Sequence, residues 1–246
     1  MTATRNVTDV MAGVPVLLRF QGTAEDAARR GTILFCHGFG GTKEQPSAYL
    51  DAIAAAGLLA VSIDAVGHGA RRYPDFATRF SDQRWDSQFE VTESEFVELL
   101  DQTAAEVPSL IDELLSRSMA AEGRIAIAGR SLGGNVAYAS VLADPRITAA
   151  VSVVGCPRWT LPREHSPHLH PDRFYPVALM SQAAEHDEHS PANQISEFHA
   201  SLAPYYAADP ERAAYLEYAG VGHFLTPELN ANSREQLVEW CVRWFG

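Results

Sequence analysis

The chain has 246 residues, 46 % of them hydrophobic, and 31 acidic against 19 basic side chains give it a formal net charge of −12. That length suits one α/β domain with a sizeable core over residues 1–246, and the negative charge argues against nucleic acid and anionic membrane surfaces as partners. Met1–Asp9 lacks the apolar core of a signal peptide and no later stretch approaches a membrane span, so a cytoplasmic protein handling small molecules is expected.

In chain order, apolar runs bounded by turn residues predict strands at Val14–Phe20, Thr32–Cys36, Leu59–Asp64, Arg124–Ala128, Ala149–Val154, Pro176–Ser181 and Ala214–Tyr218, with helices between them. This alternation implies a mostly parallel sheet covered on both faces. Thr92-Glu93-Ser94-Glu95 reads as a capping box opening the longest helix, which Pro108 should kink or divide. The last helix is expected from about Ser233 to Phe245, with Leu237, Val238, Cys241, Val242 and Phe245 on one side. Two segments, near 70–91 and 156–175, break the alternation and should fold over the site as a small cap. Cys36, Cys156 and Cys241 are odd in number and lack close spacing, which argues against a disulfide framework or zinc site.

The chemistry gathers where these strands end. Gly129-Arg130-Ser131-Leu132-Gly133 joins a strand to a helix through a turn that holds its serine in strained geometry at a helix start. A serine hydroxyl is a weak nucleophile, so it needs a base and a carboxylate to orient that base. Downstream, the strand ending at Ser181 leads into Glu185-His186-Asp187-Glu188-His189, and the strand ending at Tyr218 leads to Gly222-His223-Phe224. Asp187 and His223 therefore belong to loops at the carboxyl ends of strands, where ligands bind in open α/β sheets. His37-Gly38-Phe39-Gly40-Gly41 follows another strand, and the amides of Phe39 and Leu132 are the expected oxyanion donors.

These landmarks, together with Asp64-Ala65-Val66-Gly67-His68-Gly69, resemble the α/β-hydrolase fold superfamily in order over roughly residues 30–246. The chain is most similar to small bacterial serine esterases of the dienelactone-hydrolase-like and prolyl-oligopeptidase-like group. Dienelactone hydrolases proper carry cysteine where this chain has Ser131, and epoxide hydrolases and haloalkane dehalogenases carry aspartate. The resemblance implies Ser131 as nucleophile, His223 as base and Asp187 as acid. Glu185 and Glu188 compete with Asp187 within the same loop, and the family position ranks Asp187 first.

The function expected is cleavage of small-molecule carboxylic esters through an acyl-enzyme, requiring no metal or organic cofactor. A peptidase, thioesterase, lactonase or acyltransferase would use the same triad, and a non-catalytic binding protein could retain the fold. Arg71 or Arg72 could bind a substrate carboxylate or simply face solvent. Trp85, Trp159 and the other cap aromatics could line the substrate pocket or close a mini-core beneath the loops. His165, His168 and His170 read as a solvated loop, and His37 as a satisfied structural histidine. The sequence leaves the oligomeric state open.

Overall fold

The computed structural model describes residues 3–245; Met1, Thr2 and Gly246 lie outside the described residues, and with them the first residues of the stretch read above for a leader. The strands are β1 (Thr4–Met11), β2 (Val14–Gln21), β3 (Thr32–Cys36), β4 (Leu59–Ile63), β5 (Ile125–Arg130), β6 (Ala149–Val153), β7 (Ala178–Ala184) and β8 (Ala213–Tyr218). They form one sheet in the order β1-β2-β4-β3-β5-β6-β7-β8. Pairings β1–β2 and β2–β4 are antiparallel and all the others parallel. The central strands β3, β4, β5 and β6 are buried along almost their whole length. That explains why they read as continuous apolar runs rather than alternating ones.

The helices are α1 (Ala24–Ala28), α2 (Ser47–Ala55), α3 (Phe76–Arg79), α4 (Asp82–Ser87), α5 (Phe89–Ser116), α6 (Leu132–Ala143), α7 (Ala192–Leu202) and α8 (Pro227–Trp244). One core joins α5 and α6 to one face of the sheet through Val97, Leu100, Val107, Leu110, Val136 and Tyr138. The other joins α2 and α8 to the opposite face through Leu50, Ile53, Leu237 and Trp240.

Several expectations are corrected. β1 was not foreseen, because its alternation is weak and only Met11 on it is buried. It pairs as an edge strand through a tight Ala12-Gly13 turn in which both residues have positive φ, the geometry that suits a two-residue hairpin. Helix α5 begins at Phe89, so Thr92 stands inside it and turns its hydroxyl back to the Gln88 carbonyl (3.1 Å) instead of capping. The helix also runs unbroken across Pro108. Apolar burial on both sides of Pro108, from Val97 to Leu114, outweighs a proline penalty of about 3 kcal/mol. Helix α8 starts earlier than expected, at Pro227, because the Thr226 hydroxyl caps the Leu229 amide. Val242 on it is exposed rather than packed.

The three thiols are free and buried. Among the described residues no helix is long and apolar enough to cross a membrane.

Candidate active site

The turn between β5 and α6 forces the site into being. Ser131 has φ 55° and ψ −120°, a left-handed conformation strained for any residue with a Cβ. The turn closes only because its neighbours are bare: a Cβ on Gly129 would meet the Gly133 carbonyl carbon at 2.3 Å, and one on Gly133 would meet the Cys36 carbonyl oxygen at 2.0 Å. The start of α6 is thereby pressed against the end of β3, and Ser131 is raised at the helix N-terminus.

His223, on the loop after β8, reaches Ser131: its Nε2 lies 2.9 Å from Ser131 Oγ. Its Nδ1 lies 2.8 Å from Asp187 Oδ2. The carboxylate fixes the tautomer, with Nδ1–H donating to Asp187 and Nε2 free to accept from the serine hydroxyl. Asp187 Oδ1 in turn accepts from the amides of His189 and Ser190, both at 2.9 Å. Burial pushes the Asp187 carboxyl up, but the hydrogen bonds from His223, Ser190 and His189 outweigh it and hold its pKa below the ordinary value. Of the three acids in that loop, Asp187 alone is buried; Glu185 turns away to accept from the Gly220 amide, and Glu188 is exposed. The His189 ring packs edge-on against His223, 5.1 Å between centroids.

The His37–Gly41 turn runs beside the serine: a Cβ placed on Gly38 would come within 3.8 Å of the Ser131 Cβ. Among the described residues, no protein acceptor meets the amide of Phe39, in that turn, or that of Leu132, the residue after Ser131. Two unpaired N–H groups there are what a developing oxyanion would need. His37 is satisfied within the scaffold: Nδ1 donates to the Gly38 carbonyl (2.7 Å) and Nε2 accepts from the Ala65 amide (3.1 Å). Asp64 ties the two loops together by accepting from the Lys43 amide, the Lys43 ammonium and the Ala70 amide at 2.7, 3.0 and 2.9 Å.

His68 lies behind Phe39 in a buried cluster with Phe76. Its Nδ1 donates to the Val66 carbonyl, and its Nε2 is buried without a partner. Burial lowers its pKa to about 4. Above pH 6.5 both folded and unfolded forms are neutral there, but as the pH falls towards 4 only the unfolded form takes up the proton, and stability drops. We expect this residue to cost on the order of 3 kcal/mol over that window. Urea unfolding of His68→Phe should show a smaller loss between pH 6.5 and 4 than the parent; equal losses would refute the assignment.

A cavity of about 1370 Å³ opens over Ser131 and His223. Trp85 and Trp159 both line it, as do Phe39, Phe89 and Phe96. The cap aromatics divide between the two roles considered for them: Phe76 is buried in a mini-core with Leu99, whereas Phe89 is exposed to the cavity. Arg71 does not reach the cavity, which corrects the expectation that it binds substrate. It donates to the Asp64 carbonyl at 2.7 and 3.0 Å and forms a two-pronged pair with Glu106 at 2.6 and 2.7 Å. Arg71→Ala should therefore lower stability by about 1–2 kcal/mol in denaturant titration and leave KM for small esters unchanged. A raised KM at unchanged stability would restore the binding role.

Glu93, which lies inside the Thr92–Glu95 capping pattern, and Arg130 and Arg234 also line the cavity, a position not expected from the sequence. Helical spacing held the signal for the first: Phe89, Glu93, Phe96, Val97 and Leu100 share one face of α5, and all line the cavity. The three loop histidines do not converge; His165 turns to Asp101 (2.8 Å) and His170 to the Glu164 carbonyl (2.5 Å). Among the described residues no cluster of three or more His, Cys, Asp or Glu is arranged to hold a metal ion.

An eight-stranded, mostly parallel sheet with a serine on a strained strand-to-helix turn, facing a histidine–aspartate pair, has the layout of an α/β hydrolase. The alpha/beta hydrolase family model matches residues 33–240, and the chain belongs to that family. Its fold is similar to that of TT1662 from Thermus thermophilus, with TM-score 0.77 at 22 % identity over 97 % of this chain and 98 % of the other. It is also similar to an esterase from Pyrobaculum calidifontis, with TM-score 0.65 at 14 % identity over 98 % and 85 % of the two chains. A puromycin-hydrolyzing peptidase from Mycobacterium tuberculosis gives TM-score 0.65 at 18 % identity, over 100 % of this chain but only 40 % of that one. No curated protein sequence matches the chain.

Proposed function

We propose that the protein hydrolyses carboxylic esters of small molecules through an acyl-enzyme intermediate. The observation that carries this reading is the unbroken chain from Ser131 Oγ to His223 to Asp187, at 2.9 and 2.8 Å, on the floor of a cavity. In the first step His223 Nε2 takes the hydroxyl proton as Ser131 Oγ attacks the ester carbonyl. Asp187 stabilises the imidazolium, and the Phe39 and Leu132 amides receive the oxyanion. The C–O bond then breaks as His223 passes the proton to the leaving alcohol. In the second step His223 takes a proton from a water that attacks the acyl carbon; the bond from the acyl carbon to Ser131 Oγ then breaks, His223 returns the proton to Oγ, and the carboxylic acid leaves. Water is the only co-reactant, and no step calls on a metal or organic cofactor.

Hydrolysis is favoured over acyl transfer by the open mouth of the cleft, where Phe224 is 80 % exposed. Acyl transfer requires a site from which water is excluded. The test is a chain-length series of p-nitrophenyl esters alongside the matching anilides. Turnover of esters with a burst of p-nitrophenol, and much slower cleavage of anilides, is expected. Preferred cleavage of anilides would make the protein a peptidase; saturable binding without turnover would make it a binding protein.

A further inference from the structure

One wall of the cavity combines aromatic rings with a buried acid. Glu93 is only 8 % exposed and lines the cavity from α5. Around the same space stand Trp85, Phe89, Phe96 and Trp159, with Trp85 6.2 Å from each of the two phenylalanine rings. Glu93 pairs with no Lys, Arg or His among the described residues. The nearby cations turn to other partners: Arg84 to Glu95, Arg158 to Glu197, and Arg163 to Ser94 and Asp101, while of the other arginines lining the cavity Arg130 donates to the His223 carbonyl (3.2 Å) and Arg234 lies 5.9 Å from the centre of the Tyr49 ring. Asp82 and Asp86 add two exposed carboxylates to the lining.

A buried carboxyl without a cation is costly, and in a core it is the side chain most readily replaced by an apolar one. Here it is held beside open space rather than packed in. Burial pushes the Glu93 carboxyl above its ordinary range, against a smaller opposing pull from the Thr160 hydroxyl. Aromatic faces around a carboxylate form the environment that favours an organic cation, since each ring presents negative density and the acid supplies the countercharge.

We propose that Glu93, framed by Trp85, Phe89, Phe96 and Trp159, is the recognition point for a substituted ammonium group on the substrate. Combined with the ester-hydrolase reading, on which this refinement rests, it makes the substrate class esters with a cationic amine on one limb. Glu93 is a specificity residue and takes no part in the bond-breaking step.

The test reads binding without chemistry. Butyltrimethylammonium and its neutral tert-butyl isostere are titrated against the parent protein, Ser131→Ala and Glu93→Gln, using intrinsic tryptophan fluorescence and calorimetry. The parent and Ser131→Ala should bind the cation at least about tenfold more tightly than the isostere, and Glu93→Gln should bind both alike, as removal of a charged partner implies. Glu93→Asp, which keeps the charge, should retain part of the preference and covers the case in which the glutamine variant does not fold. Equal affinity of the parent for the two ligands, or a preference that survives in Glu93→Gln, would overturn the proposal. A parent protein that shows the cation preference but turns over no ester would instead count against the hydrolase reading alone.

Discussion

Ser131→Ala should lose ester turnover by about 10⁴–10⁶-fold while keeping its fold. The substitution removes one oxygen, whose hydrogen-bond partner is His223 Nε2. The helix loses no cap, because the Ser131 side chain makes no capping bond to α6. Alanine retains the Cβ, so the backbone strain at φ 55° is unchanged and the Gly129 and Gly133 contacts that close the turn remain. The loss should therefore fall on kcat, with KM and the thermal midpoint little altered. Steady-state kinetics on a p-nitrophenyl ester, paired with thermal unfolding, separates these quantities. A variant retaining a tenth of parental turnover would mean that another group carries the chemistry.

The second large effect is expected at Asp187→Asn, a loss in kcat of about 10⁴-fold. The amide oxygen would continue to accept from the His189 and Ser190 amides, which turns the amide nitrogen towards His223 Nδ1. The ring must then accept at Nδ1 and carry its proton on Nε2, pointing at Ser131, so it can no longer serve as a base. The same change has a signature in stability. Asp187 has a depressed folded pKa, so the stability it contributes is present above the ordinary carboxylate range near 3.9 and disappears as the pH falls through the lower folded value. Asp187→Asn should be less stable than the parent at neutral pH, and the gap should close in strong acid. A variant equal to the parent in kcat would remove Asp187 from the triad, and one equally destabilised at every pH would point to packing rather than charge.

The parts of the fold that were legible in the sequence are those buried on both sides. Thr32–Cys36 and Ala149–Val153 read directly as strands because a strand inside a covered parallel sheet has no reason to alternate. The edge strand β1 escaped notice for the converse reason, since its pairing depends on β2 and a turn rather than on an apolar face of its own. Ser131, His223 and Asp187 were singled out because each sits just past a strand end; the family position ranked Asp187 above Glu185 and Glu188, and of the three it is Asp187 that meets His223. Arg71 could not be assigned from its neighbours in sequence: Glu106, which engages it, lies 35 residues away on α5. Glu93 was hidden by a local pattern, where a good capping signature lost to the continuation of α5 through Phe89. Local propensity there is worth about 1 kcal/mol, too little to compete with the packing of the cap against the cavity wall.

The most direct measurement is to treat the folded protein with a fluorophosphonate and locate the adduct by mass spectrometry. A single adduct on Ser131, abolished in Ser131→Ala and matched by loss of ester turnover, is the expected result. An adduct on any other residue, or a folded protein that hydrolyses esters with Ser131 unmodified, would contradict the assignment of Ser131 as nucleophile.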